Sequence, residues 1–172
     1  DGAPLHKLDE EARAQLRGEK VGFIFQSFML VPSLTALENI MLPAEIIGLD
    51  NPKARALEVL QQVGVEHRAG HYPNQLSGGE QQRVAIARAF ITSPKILFAD
   101  EPTGNLDAQN SDNVESLLFA LNKQSQTTLI LVTHAPELAK KCDRQLAMTA
   151  GELVEVTESV VAAKVPGDKP ST

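Results

Sequence analysis

A pair of glycines inside a helix-start signal, followed by a short apolar run ending in two carboxylates, restricts this chain more than any other feature. In Leu76-Ser77-Gly78-Gly79-Glu80-Gln81-Gln82-Arg83 the serine and glutamate stand at capping-box spacing, so a helix begins there. Gly78 and Gly79 remove side chains from its first turn, where free N–H groups and the helix dipole favour an anion. The same residues serve equally as a well-started helix and nothing more. Downstream, Ile96-Leu97-Phe98-Ala99 reads as a strand, and Asp100-Glu101 ends it. The C-terminal end of a strand is where open α/β sheets place ligands. A carboxylate there can hold Mg²⁺, and a second, offset by one residue, can act as a general base on water. Two acidic residues ending a strand in solvent are the plain alternative.

The remaining pattern alternates strands with helices. Asp9 is placed to cap a helix running to about Arg17, with Glu10 and Glu11 favourable against its dipole. Val21 to Phe25 reads as a strand buried on both faces, ended by Gln26. From Ser27 to Gln75 the spacing is helical: Thr35 and Glu38 form a capping box, and Asn51-Pro52 starts a helix carrying Leu57, Leu60 and Val63. A further helix near Gln109 to Asn122 aligns Val114, Leu117, Leu118 and Leu121, and Thr128 to Thr133 reads as another buried strand. Pro136 opens a helix, and Gln145 to Met148 with Leu153 to Val156 closes a hairpin around Ala150-Gly151. Such alternation predicts an α/β fold with a mostly parallel sheet.

Composition narrows the class. A net charge of −6 with scattered basic residues argues against a nucleic-acid partner. Cys142 is the single cysteine, which excludes an internal disulfide and reads as an ordinary packed residue. No apolar run approaches the roughly 20 residues that span a bilayer, and no secretory leader pattern opens the sequence. The expected location is cytoplasmic, with any membrane attachment made through a partner.

The Leu-Ser-Gly-Gly-Glu-Gln-Gln string, its position before an apolar strand ending in Asp-Glu, and the run Asp100-Glu101-Pro102-Thr103-Gly104-Asn105-Leu106-Asp107 resemble the ATP-binding cassette family. Phe25-Gln26-Ser27-Phe28-Met29-Leu30 and Thr35-Ala36-Leu37-Glu38-Asn39 look most like its lipoprotein-release and macrolide-export branch. The resemblance implies a P-loop NTPase-like ABC ATPase domain over residues 1–156, with an inserted helical lobe at about 27–90 and a disordered tail at 157–172. It also implies a domain lacking its N-terminal P-loop portion. No G-x-x-x-x-G-K-[ST] stretch occurs in the 172 residues, and Asp1 to Leu8 reads as an interior loop exposed by a cut.

By that resemblance ATP and Mg²⁺ are the cofactors. Asp100 and Gln26 face the metal, and Glu101 is the catalytic base, with His134 and Gln26 completing the catalytic set. Ser77, Gly78 and Gly79 meet the γ-phosphate held by a second subunit, and Asp107 communicates across that dimer. Asp107 also suits an N-cap, and the two roles are compatible. Ala135 follows His134 where the family usually has Asp, which touches the histidine's orientation. Phe28 to Pro32 suits either lobe core or a groove for a short helix of a membrane permease. The function implied is the ATPase subunit of a bacterial transporter, partnered by a second nucleotide-binding domain and by the permease. The alternatives are a soluble cassette protein acting on ribosomes, and a non-catalytic chain that acts only by binding a partner. For these 172 residues alone the missing P-loop implies no ATPase activity.

Overall fold

Of the main helices of the first half, all but one start where a side chain accepts a backbone N–H, and that one starts on a proline. The computed structural model describes residues 4–156. Helix α1 (Glu10–Lys20) is capped by Asp9, whose carboxylate accepts from the Ala12 N–H at 2.8 Å. It runs past the expected Arg17 to Lys20, because the chain passes from its last turn directly into strand β1 (Val21–Ile24). Helix α2 (Ala36–Ile46) opens on the Thr35–Glu38 capping box, and helix α3 (Pro52–Gln62) on Pro52. Helix α4 (Gly78–Phe90) opens on a second capping box, Ser77 with Glu80. Strand β2 (Ile96–Asp100), helix α5 (Ala108–Ser125) and strand β3 (Thr128–Val132) follow.

Contacts divide the chain into one unit through His134 and another from Ala135. In the first, β1, β2 and β3 form a parallel sheet in that order, with Phe23, Phe98 and Ile130 in register across it. Helix α4 packs on α2, α3, α5 and β1. Its buried Val84, Ile86 and Ala87 join Ile40, Leu60, Leu97 and Leu118 in one core.

The sheet corrects one expectation. Strands β1 and β3 are covered on one face only: in β1 Ile24 is 1% exposed and Phe23 40%, while in β3 Leu129 and Leu131 are half-buried and Ile130 and Val132 are 41% and 55% exposed. The strand order explains it. Both crossovers step across the sheet in the same direction, and right-handed parallel connections of that kind lie on the same face. The other face keeps its apolar side chains uncovered among the described residues, with Phe23 stacked on Phe25 and Phe98 at 5.9 and 5.5 Å.

The second unit contains a short helix α6 (Pro136–Ala139) and an antiparallel hairpin of β4 (Leu146–Thr149) and β5 (Glu152–Glu155). Ala150 and Gly151 have φ of 52° and 86°, the two positive angles that a tight hairpin turn requires. The expected disorder of 157–172 lies outside the described residues.

Candidate functional site

The ends of the three parallel strands assemble the chemistry-bearing side chains. Asp100 closes β2 with its carboxylate exposed. Glu101 follows in the left-handed region at φ 43°, while its N–H still donates to the Val132 carbonyl at 2.9 Å and so extends the ladder by one step. Its side chain meets the residues that follow β3. Glu101 Oε1 accepts from the His134 N–H at 2.6 Å and Oε2 from the Thr133 hydroxyl at 3.4 Å, and the His134 ring Nε2 stands 3.8 Å from Oε1. The Glu101 side chain is 20% exposed and that of His134 is 100% exposed. A shielded carboxylate therefore lies behind a fully accessible imidazole.

Gln26, beyond the end of β1, meets the turn that follows Glu101. Asn105 donates its amide to the Gln26 carbonyl at 2.9 Å, and Gln26 Nε2 approaches Asn105 Oδ1 at 3.4 Å. Gly104 makes this possible, because a Cβ there would stand 2.9 Å from Gln26 Nε2. With Nε2 so engaged, exposed Gln26 keeps its Oε1 as an acceptor for a donor or a cation.

At the start of α4, Ser77 accepts the Glu80 N–H on Oγ, while Glu80 Oε2 accepts both the Ser77 N–H and hydroxyl at 2.8 Å. Arg68 Nε donates to Glu80 Oε1 at 2.7 Å. The Ser77 N–H, aided by Arg68 and the Ser77 hydroxyl and opposed by burial, holds the Glu80 carboxyl down to about 2. Gly78 and Gly79 occupy the first two helical positions, whose N–H groups have no carbonyl four residues back in the helix. The capping reading of Ser77 is thus realised, and the anion-binding reading stays compatible with it.

Asp107 N-caps α5: its carboxylate accepts from the Asn110 N–H at 3.0 Å and side-chain amide at 2.6 Å, which lowers its pKa. A Cβ on buried Gly79 would fall 2.9 Å from Asn110 Oδ1. The starts of α4 and α5 therefore pack closely, with Gly79 against Asn110, which is itself held by Asp107. Among the described residues, Ser77 and Gly79 make no hydrogen bond to Gln26, Asp100, Glu101 or His134, so the structure forms two groups. One joins Gln26 to Asn105 and Glu101 to His134, and the other is the glycine-rich helix start.

Several residues of the site escaped the sequence reading. Gln82, fully buried on α4, donates to the Pro102 carbonyl at 2.5 Å and ties this helix to the turn after Glu101. Arg88 donates Nη1 to the Met29 carbonyl at 2.5 Å and Nη2 to that of Phe28 at 2.8 Å. Phe28 and Met29 are themselves left-handed, at φ 59° and 52°, a conformation costing on the order of 1–2 kcal/mol per residue. Asn39, also fully buried, accepts from the Val31 N–H and donates to the Val31, Leu34 and Thr35 carbonyls. Asn110, three residues after Asp107, and Asn39, within eight residues of its partners, act locally; Gln82 and Arg88 act across 20 and about 60 positions. Cys142, its thiol pushed up by burial and by Asp143, is an ordinary residue with no tendency to form thiolate.

No cluster of three or more His, Cys, Asp and Glu comes together among the described residues. The donors on offer are one exposed carboxylate and one amide oxygen. They suit Mg²⁺, which keeps several waters and takes one or two carboxylates together with substrate phosphates.

Residues 1–104 match the family described as ABC transporter. The chain belongs to the ABC transporter ATP-binding protein family. It is 57% identical over 156 residues to the uncharacterized ABC transporter ATP-binding protein YbbA of Escherichia coli K12, covering 90% of this chain and 68% of YbbA. YbbA of Shigella flexneri matches with the same figures. Among solved structures, dimeric MJ0796, a bacterial ABC transporter cassette, superposes with a TM-score of 0.75 at 42% identity, over 85% of this chain and 66% of that one. The post-hydrolysis dimer of the ATP-binding cassette MJ0796 with ADP and Pi gives 0.77 at 41% identity, over 87% and 68%. The chain spans about two-thirds of the length of these relatives. The parallel sheet with helices is accordingly the P-loop NTPase-like α/β fold of ABC ATPase domains, a family that binds and hydrolyses ATP. No helix among the described residues is long and apolar enough to cross a membrane.

Proposed function

We propose that this cassette is the greater part of the ATP-hydrolysing subunit of a bacterial ABC transporter of the export or lipoprotein-release kind, working on a separate membrane permease. We assign residues 1–156 to its ATPase domain and about 27–90 to the helical lobe. The observation that carries the reading is the Glu101–His134 pair at the strand ends, one residue from Asp100.

ATP is the substrate, and water is the nucleophile at its γ-phosphorus. Glu101, oriented by the His134 N–H and the Thr133 hydroxyl, takes the proton from that water as the new P–O bond forms and the bond to ADP breaks. His134, wholly exposed, offers its ring to a γ-phosphate oxygen. Asp100 and Gln26 Oε1 would hold Mg²⁺, which supplies charge neutralisation on the phosphates. Ser77, Gly78 and Gly79 serve the γ-phosphate bound on a second cassette, which accords with their separation from the Glu101 group in one chain. Asp107, bonded to the Asn110 that packs against Gly79, links the two sites across the dimer.

A groove of about 470 Å³ lined by Ala14, Phe25, Met29, Leu42, Pro43 and Ile46 supports docking of the permease beside the loop that follows Gln26. On this reading the protein sits on the inner face of the plasma membrane through its partner. The grip on the β- and γ-phosphates needs a P-loop, which these 172 residues do not contain. We therefore assign activity to the full-length polypeptide; a chain acting only through partner binding is the second reading, favoured by that lack.

The test is Glu101→Gln in the full-length polypeptide. The amide keeps an acceptor for the His134 N–H but cannot take a proton, so steady-state phosphate release should fall by about 10²-fold or more with ATP binding intact. Turnover near the wild-type rate would remove Glu101 from the base role.

A further inference from the structure

We propose that Arg88 is a positioning residue for the hydrolytic reaction, holding the loop after Gln26 in the shape that aims the Gln26 side chain. The proposal rests on the reading of Gln26 as a residue facing the metal and the attacking water.

Arg88 sits half-buried on the last turn of α4, and burial lowers its pKa. A cation in that position is ordinarily matched by a carboxylate, yet its hydrogen bonds go to two main-chain carbonyls, those of Phe28 and Met29. These residues are consecutive, both left-handed and neither glycine, so the kink they form is disfavoured by the chain itself. The turn's own hydrogen bonds, from the Phe28 N–H to the Phe25 carbonyl at 3.2 Å and from the Met29 N–H to the Ser27 carbonyl at 2.6 Å, span only two or three residues. A planar guanidinium reaching both carbonyls at once supplies the fixed geometry that such a kink lacks. Gln26 lies immediately before the kink, and its Nε2 contact with Asn105 is long at 3.4 Å. Its aim therefore depends on the backbone behind it. Farther along the loop, Val31 is anchored separately by Asn39. Release of Arg88 would loosen residues 27–30 without freeing the next turn.

The experiment compares Arg88→Met, Arg88→Lys, Gln26→Ala and their double variants in the full-length polypeptide. In Arg88→Met, kcat should fall about tenfold with KM for ATP changed less than about threefold, since orientation and not binding is lost. Lysine, a single cationic donor group without the fork, should restore part of that loss. In the Gln26→Ala background, Arg88→Met should lower kcat by less than about twofold further, because both changes remove the same alignment. Hydrogen exchange should quicken at the Phe28 and Met29 amides and stay unchanged at Val31.

Additive losses with Gln26→Ala, or unchanged exchange at Phe28 and Met29, would overturn the proposal. If Gln26→Ala alone leaves kcat untouched, the reading of Gln26 falls, and with it a positioning role exerted through Gln26. Should Arg88→Met fail to fold, the same cycle and exchange measurement with Arg88→Lys decide the matter.

Discussion

Glu80 makes a charge-dependent contribution to the helix that presents Ser77, Gly78 and Gly79, and its removal is a quantitative test of that local geometry. Its carboxylate accepts from the Ser77 N–H, the Ser77 hydroxyl and Arg68, and its side chain is 20% exposed. The folded pKa is depressed from 4.5 to about 2. A depressed acid stabilises the fold above its unfolded pKa and loses that contribution as pH falls through the folded value, so the window here runs from 4.5 down to about 2. At 1.36 kcal/mol per unit, the contribution is at most about 3 kcal/mol at neutral pH and about 1 kcal/mol at pH 3. Glu80→Gln retains an acceptor oxygen for the capping box but loses the charge, and Arg68 at 36% exposure is partly screened by solvent. The expected destabilisation is therefore about 1–2 kcal/mol at pH 7, shrinking toward zero near pH 2. Urea unfolding of both proteins at pH 7, 4.5 and 3 reads it directly. A gap of equal size at pH 3 and pH 7 would refute the assignment of the stabilisation to the ionised carboxylate.

Two further outcomes follow, one from the separation of the site into two groups and one from the missing P-loop and the uncovered sheet face. Ser77→Arg in a Glu101→Gln background should block ATP-driven dimerisation of the full-length polypeptide more than ATP binding by the monomer, as read by light scattering; an undiminished dimer would leave Ser77 as a cap alone. The 172-residue chain by itself should show no ATPase activity and at best very weak Mg-ATP binding by calorimetry, and its uncovered Phe23, Phe98, Ile130 and Val132 should make it poorly soluble; micromolar binding by a monodisperse, cooperatively melting sample would contradict this.

The helix starts were legible because their signals are local. Asp9, Thr35, Ser77 and Asp107 each accept from an N–H three residues ahead, so spacing alone identifies them. The chemical candidates divide: Ser77-Gly78-Gly79 and Asp100-Glu101 are contiguous and carry a local signal, whereas Gln26 and His134, just past strand ends, were legible only through the family resemblance. The hairpin around Ala150-Gly151 was likewise written in its turn residues.

What tertiary structure decided lies at long range. Glu101 meets His134 across 33 positions, Gln26 meets Asn105 across 79, and Arg88 reaches Phe28 across 60, separations at which no periodicity constrains a contact. Strand burial is of the same kind. The apolar runs at Val21 to Phe25 and Thr128 to Thr133 carry enough hydrophobicity for two covered faces, but coverage depends on the path of the connecting helices, and two crossovers in one direction cover one side. A run of apolar residues therefore specifies a strand, while the handedness and order of its connections specify what lies above and below it.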